Sequence, residues 1–599
     1  MPGEGRAVRH APHARRGRRA FRFFCGPRAG PDGKDRGRPA KTMARTPADS
    51  DPRSAVSRRT FIRRAVLLGG GGFVGAAAGV GVGTACSDEP RRERGSPAAS
   101  DATLDVRDFG AAGDGVTNDA EALQRAIDAG ASRGGAVVRL PPGTWRSGTL
   151  RLRSRVTLEL AAGSVLVASP DDDDFAPREA LPFDTDSDAE TTDFAHALIA
   201  GRDLERVTIT GGGVIDMRRA ERSGPKAIAL KRCRFVNVSG ITIVHSPNYC
   251  VSLAGCDDVV VDGVTIRDAY ADGIDPDCCR RVRITNCDIE SRDDALCLKA
   301  SFALGDERST EDVLVANCRM RSPSNCFKLG TESTGDFRRI VVSNCVFNGL
   351  VPHDAAVAAA AEGGGVALET VDGGTVDGVM ISNIVMTGVP VPLFVRLGNR
   401  GRDQRKRRPG RLRNVSVTGV VATGATGTGS ITGLPGCPVE GITLDNIRII
   451  AAGGAWPARD LEVPEREVDY PKVTMFGTLP AFGLYVRHAR DVTLGNVQLL
   501  VDRPDARSAL IVHDAVGLRV GGVSGSSGPG HGPVVWLHDV HGGLVHANLQ
   551  PGAAGVLVRV TGENTADLAL MGAGLAEFGP EISPEAVTHV VTARQPEPG

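Results

Sequence analysis

Two short segments concentrate carboxylates. Ala271-Asp272-Gly273-Ile274-Asp275 is followed by Arg292-Asp293-Asp294, so that Asp272 and Asp293 stand 21 positions apart (293 − 272). If the chain coils with a period in the low twenties, those two side chains sit about one strand spacing apart, roughly 4.8 Å, with Asp275 and Asp294 beside them. Like charges held together raise the pKa of at least one carboxyl, which prepares a general acid next to ionised general bases. Cleavage of a glycosidic bond needs that pairing: one group to protonate the leaving oxygen, another opposite it. Clustered aspartates also ligate hard cations, so calcium binding is the competing reading; no metal or cofactor is assigned.

A second set of polar residues recurs on alternate positions of short apolar runs: Asp294 to Lys299, Asn325 to Gly330, Gly365 to Glu369 and Leu393 to Leu397. With Leu296 and Leu298 turned inward, Lys299 turns outward, because side chains alternate along a strand. The same parity turns out Lys328, Glu369 and Arg396. Stacked coils would align these four on one surface near Asp275, Asn325 and Glu332, and all seven are candidate substrate-binding residues. A solvated face of mixed charge is the plainer alternative.

The elements that must position these residues follow from the repeat. Apolar triplets recur at Val236, Val259 and Val282, 23 residues apart, and at Val492, Leu518 and Leu544, 26 apart. Short strands with turns, no helix per unit and no Leu-x-x-Leu-x-Leu pattern predict an all-β, right-handed parallel β-helix. A short capping helix opens it, with Asn118 as its cap and Ala122, Leu123, Ala126 and Ile127 on one face through Ala129. Asn286, Asn317, Asn344, Asn383 and Asn446 recur at one turn, where stacked amides could satisfy one another and buried backbone groups. The Asn-Cys steps at Cys287, Cys318 and Cys345 read as small side chains stacked from coil to coil. Insertions at 170–200, 300–312, 352–364 and 455–480 are placed to wall a cleft. His488 falls on the same outer face several coils away and reads as a surface residue. The Arg- and Lys-rich stretch 400–411 reads as a solvated loop.

The whole chain has 599 residues with 71 Lys+Arg against 71 Asp+Glu, which excludes a global basic field for nucleic acid. Of 13 Cys, Cys25 and Cys86 lie in the leader, and no Cys-x-x-Cys pair occurs. Ser57-Arg58-Arg59-Thr60-Phe61-Ile62 precedes an apolar Gly/Ala-rich run to Ala85 and reads as a twin-arginine export signal. Gly83-Thr84-Ala85-Cys86 offers a lipid-attachment cysteine. Residues 1–42 fit no export signal, which makes Met43 the expected start. The expected organisation is a signal over 43–86, a linker over 87–101, a β-helix domain over 102–570 and a tail over 571–599. A monomeric protein, extracellular or lipid-anchored at the outer face of the cell membrane, is expected.

The stretch from His245-Ser246-Pro247 through Asp272-Gly273-Ile274-Asp275 to Asp293-Asp294 resembles glycoside hydrolase family 28, the polygalacturonase family, in motif order and spacing. The opening segment from Val106 to Leu160 is similar to the start of the wider pectate-lyase-like β-helix group. The resemblance implies inverting hydrolysis of a pectin-type acidic polysaccharide, with Asp293 as general acid and Asp272 with Asp294 activating water. Tyr270-Ala271 stands where the family has Asn-Thr, and Ser324-Asn325-Cys326 where it has Gly-His-Gly. The family's Arg-Ile-Lys has no counterpart, which leaves Lys299, Lys328, Glu332, Glu369 and Arg396 to contact an acidic sugar. A polysaccharide lyase using Lys299 or Lys328 as base, and a carbohydrate-binding β-helix without catalysis, remain the alternatives.

Overall fold

Each of the three strands of a coil points apolar side chains inward, and each meets its equivalent one coil on. Val236, Val259, Val282, Val313, Ile340, Val379, Val415, Ile442, Val492 and Leu518 pair in sequence down the first sheet. Ile215, Ile243, Ile266, Ile289, Met320, Phe347 and Met386 do the same in the second. Ile228, Val251, Ile274, Leu296, Phe327, Val366 and Leu393 form the third column. All are buried in one continuous core. Burying each such side chain stabilises the fold by roughly 1.5–3 kcal/mol before entropy is counted. Every strand pairing in these ladders is parallel, and the fold is the right-handed parallel β-helix expected. The computed structural model describes residues 103–350, 363–454, 460–525, 532–547, 556–571, 580–584, 586 and 590–593. The expected start at Met43, the export signal, Cys86 and the linker lie outside the described residues.

The N-terminal cap is a helix over Ala120–Ser132, one turn longer than the apolar pattern implies. The expected cap, Asn118, lies one residue before the N-cap position, although its Oδ1 does accept a hydrogen bond from Ala120 N at 3.1 Å. Asp119 occupies the geometric cap, and its carboxylate instead accepts from Ala112 N and Gly113 N. At the other end the ladder continues past residue 570: Glu581–Ile582 pairs with Val558–Thr561, and Val590–Ala593 with Ala566–Met571.

The recurrent asparagines do stack, with Asn383 Nδ2 donating to Asn344 Oδ1 at 3.1 Å and Asn496 Nδ2 to Asn446 Oδ1 at 2.8 Å. They are exposed, however, and do not serve buried backbone groups. Their φ values of 47–59° show the reason for the residue type: each coil turns there through the left-handed region, which Asn tolerates and most residues do not. Cys287, Cys318 and Cys345 are buried and stacked in the core, and no disulfide joins the described cysteines.

Two register expectations need correction. Leu518 pairs with Gly543, not Leu544, so that coil is 25 residues (543 − 518), and Leu544 points outward, half exposed. Lys299 and Lys328 do not share one outward row. Asp277 pairs with Lys299, whereas Cys297 pairs with Lys328, and the register shifts between Leu298 and Ala300. The offset is set by the register Leu296↔Phe327, which leaves Lys328 two residues short of the position opposite Lys299; the extra residues Gly330–Glu332 follow it.

Candidate active site

Asp272 and Asp294 lie just before consecutive strands of the third sheet, Ile274–Asp277 and Leu296–Ala300. The turn carrying Asp293 is fastened by Ser291 Oγ and Ser322 Oγ, which both donate to the Asp293 carbonyl, at 2.7 and 2.5 Å. Gly273 has no room for a side chain: a Cβ there would stand 2.4 Å from Ala295 O and 2.6 Å from Ile289 Cγ2. The glycine after Asp272 therefore lets the two aspartate-bearing turns pack against each other. One carboxylate oxygen of Asp272 and one of Asp294 lie within 4.8 Å of each other.

The charges in this cluster are neutralised unevenly. Lys299 Nζ donates to Asp272 Oδ2 at 2.7 Å and Asp275 Oδ1 at 2.5 Å, so one ammonium serves two buried carboxylates. It also sits 4.1 Å above the Tyr249 ring. Asp294 has its own cation, Lys328 Nζ at 3.0 Å, and its Oδ1 accepts from Asn325 Nδ2 at 2.7 Å and Ser324 Oγ at 2.9 Å. Burial opposes the charge of Asp294, but Lys328 and these donors overcome it and hold the carboxyl below its ordinary value. Burial, then the charges of Asp272 and Asp294, push Asp293 up to about 6, against the pull of Arg222. Burial pushes Asp272 and Asp275 upward, with Lys299 opposing. Burial disfavours the ammonium of Lys299 and of Lys328, yet their carboxylate partners hold both well above the ordinary lysine value. The centre thus combines an acid that keeps its proton near pH 6 with a carboxylate held ionised, the division of labour that hydrolysis of a glycosidic bond uses.

Residues 181–463 match the family model of glycosyl hydrolases family 28, and residues 103–162 match that of the rhamnogalacturonase A/epimerase, pectate lyase-like group. The stretch 181–463, a little under half of the chain, is thus similar to glycosyl hydrolases family 28. The chain is a glycoside hydrolase. A probable polygalacturonase of Vitis vinifera is 26% identical over 391 residues, covering 59% of this chain and 76% of the relative. An exo-poly-alpha-D-galacturonosidase of Dickeya chrysanthemi is 30% identical over 124 residues, 20% of each chain. Among solved structures, a hyperthermoactive exopolygalacturonase from Thermotoga maritima matches with a TM-score of 0.51 at 22% identity, over 66% of this chain and 92% of that one, a likeness of fold.

The hydrolase brings most of the expected residues together. Asp272, Asp275, Asp293, Asp294, Lys299, Asn325 and Lys328 form one connected cluster through the contacts above. Glu369 joins its edge, accepting from Thr331 Oγ1 at 3.1 Å; burial raises its carboxyl to about 7, with Lys328 pulling the other way. Glu332 faces Arg402 at 3.4 Å and Arg400 at 3.9 Å. Arg396 is not brought to the carboxylates. It is 1% exposed, and its guanidinium donates to Gly433 O, Glu465 O and Arg466 O at 3.1, 2.7 and 3.1 Å. The insertion after residue 460 covers this part of the sheet, packing Val463, Phe476 and Leu479 on Phe394, Tyr485 and Ala367. Residues 400–408 are likewise no free loop: Arg400 pairs with Asp372 at 2.6 Å and Arg402 with Asp188 at 3.1 Å. His488, expected on the surface, is 8% exposed between Glu465 and Asp514.

Three contributors escaped the sequence reading. Arg222 donates from Nη1 to Asp293 and pairs with Glu190 through Nη2 at 2.6 Å, so a guanidinium from one loop caps the candidate acid. Tyr470 hydrogen-bonds Thr331 Oγ1 at 3.0 Å and stands 5.8 Å below Lys328 Nζ. Lys226, fully buried, lies 4.1 Å over the Phe194 ring and donates to Ser252 Oγ at 3.0 Å. Arg222 and Tyr470 come from irregular insertions, where no periodicity assigns a direction to a side chain. Lys226 opens the strand Lys226–Lys231 in phase with the inward-pointing Ile228 and Leu230, so the parity argument applied to Lys299 would have assigned it to the core.

Proposed function

We propose that this hydrolase cleaves galacturonide linkages of a pectin-type acidic polysaccharide with inversion, Asp293 protonating the leaving oxygen while Asp294 and Asp272 activate water on the other side. The observation that carries the reading is the split within the aspartate cluster. Asp293 is 28% exposed in its side chain and raised to about 6, while Asp294 is buried and held down by Lys328. Polygalacturonase relatives support a uronate polymer as substrate.

The lyase alternative needs a neutral lysine or arginine as base. Lys299 and Lys328 are the candidates, and each is held protonated by carboxylates at 3.0 Å or less. The reading extends to location: export by the twin-arginine route as a monomer, with Cys86 as the candidate point of lipid attachment.

The test is to incubate the protein and its Asp293→Asn variant with polygalacturonan, methyl-esterified pectin and rhamnogalacturonan, following reducing ends and ultraviolet absorbance together. Reducing ends without new absorbance, lost in the variant, are expected. New absorbance would move the reaction to lysis, and retained activity in the variant would remove Asp293 from its role. Proton NMR of the first product anomer tests inversion.

A further inference from the structure

Several coils beyond the aspartates, the third sheet carries a second group of chemically capable side chains that hydrolysis does not use. His513, in the strand Ser508–Gly525, pairs in register with His538, in the strand Val535–Ala547. Their rings lie edge to face, with centroids 4.9 Å apart and planes at 75°. Asp539 follows His538 at φ 51°, which swings its carboxylate back toward the imidazoles, so that Oδ2 lies 3.6 Å from His538 Nε2. One ligand atom from each of His513, His538 and Asp539 lies within 4.8 Å of the other two.

What surrounds these three is the support that metal ligands receive. The Thr561 hydroxyl is 2.8 Å from His538 Nδ1, and the Tyr485 hydroxyl 3.4 Å from His513 Nδ1, so each ring is held through one nitrogen. Thr561 Oγ1 is itself fixed by the Trp536 indole N–H at 2.9 Å. Asp539 is anchored through Oδ1, which accepts from Asn564 N at 3.0 Å, leaving Oδ2 for another partner. Hydrogen bonds of this kind set the tautomer and direction of a ligating histidine.

We propose that His513, His538 and Asp539 form a zinc-class divalent-cation site on the outer face of the C-terminal coils, separate from the hydrolytic centre. Two imidazoles and one carboxylate are a donor set that zinc prefers over calcium or magnesium, which take oxygen ligands. Tetrahedral zinc with bonds of about 2.1 Å spaces its ligands roughly 3.4 Å apart, so modest side-chain rotation closes the group. Three protein ligands leave a fourth position for solvent, and the side chains of His538 and Asp539 are 28% and 24% exposed, open enough for an ion to enter. A bound ion would tie two consecutive coils to each other at a distance from the aspartates, so it would act on the stability of this end of the helix and not on bond cleavage.

The test is calorimetric titration of the full chain with zinc chloride in chelator-free buffer, with melting curves taken with and without zinc. Cobalt(II) absorption serves as a geometric readout. One zinc per chain, a zinc-dependent rise in Tm and the visible bands of four-coordinate cobalt are expected. Asp539→Asn and His513→Gln should each weaken zinc binding about a hundredfold and abolish the Tm rise. Asp539→Asn keeps the Oδ1 acceptor for Asn564 and should fold as the parent does, so it decides the matter if His513→Gln does not. Absence of stoichiometric zinc, or binding unaltered in the folded Asp539→Asn variant, would overturn the proposal. None of these readouts depends on the polysaccharide, so the outcome stands apart from the hydrolytic reading.

Discussion

The Asp293 carboxyl is useful only while it carries its proton, and its surroundings say when it does. Raised to about 6 by burial and its neighbours, it is mostly protonated below pH 6 and loses that proton above it. The activity should therefore fall on the alkaline side of about pH 6, and Asp293→Asn should lower kcat by about 10²–10⁴-fold. Arg222 works against the acid, since a cation at hydrogen-bond distance favours the ionised form. Arg222→Gln should raise the pKa of Asp293 and move the alkaline limb of kcat/KM upward by about one pH unit; an unmoved limb would mean that Arg222 does not act on Asp293. At Asp294 the sign reverses. Lys328→Met would strand a buried carboxylate without its cation, which costs about 3–5 kcal/mol in comparable sites. A large fall in Tm together with loss of activity is expected, read by calorimetry and reducing-end assay. The aspartates were legible in the sequence because their spacing is within one residue of a coil, but the register Ile274↔Leu296 makes the coil 22 residues (296 − 274) and sets Asp294, not Asp293, opposite Asp272. Their unequal protonation was legible only as a requirement, because it depends on which lysine reaches which carboxylate.

At the scale of the element, the repeat was legible wherever the coil is regular. The inner columns from Val236 to Leu518 pair as the apolar triplets imply. The reading slipped where a coil changes length by one residue, as between Leu518 and Leu544, because a shift of one exchanges the two faces of a strand. It slipped again at the lysines, because parity fixes the face of a side chain and not its position along the strand: Lys328 pairs with Cys297, two residues short of Lys299. The asparagine turn was found, but its cause was misjudged: the backbone conformation selects Asn there, and the amide stack follows from it. Asn383, at φ 56°, tests this. Asn383→Ala should be destabilised by about 1–2 kcal/mol relative to Asn383→Gly, because only glycine enters the left-handed region freely. Denaturant titration of the two variants separates them. Equal stability would instead assign the position to the side-chain hydrogen bond with Asn344.

At the scale of the whole molecule, the coils provide a rigid sheet, and the site's upper surface is assembled by insertions far apart in sequence. The loop of residues 170–200 reaches residue 403: Asp186 N donates to Asp403 Oδ1 at 2.7 Å, Ser187 Oγ to Oδ2 at 3.1 Å, and Asp403 N back to Asp186 Oδ2 at 3.2 Å. The same loop supplies Glu190, which holds Arg222 over Asp293, and Phe183, packed edge-on against Phe302 at 5.8 Å. That chain is inserted at these places was legible from the longer gaps between repeats. Which ones meet was not, since contacts across more than two hundred residues follow from stacking order and leave no local pattern. Asp403 has no hydrogen bond or ion pair with Asp272, Asp293 or Asp294, yet it fastens the loop that carries Glu190. Asp403→Ala should therefore raise KM for polygalacturonan by about threefold to tenfold, equivalent to ~0.7–1.4 kcal/mol of binding, with kcat and Tm near those of the parent. The chemistry is untouched in this variant and only the wall is loosened. A fall in kcat at constant KM would show that the loop positions Asp293 through Arg222 and does not hold substrate.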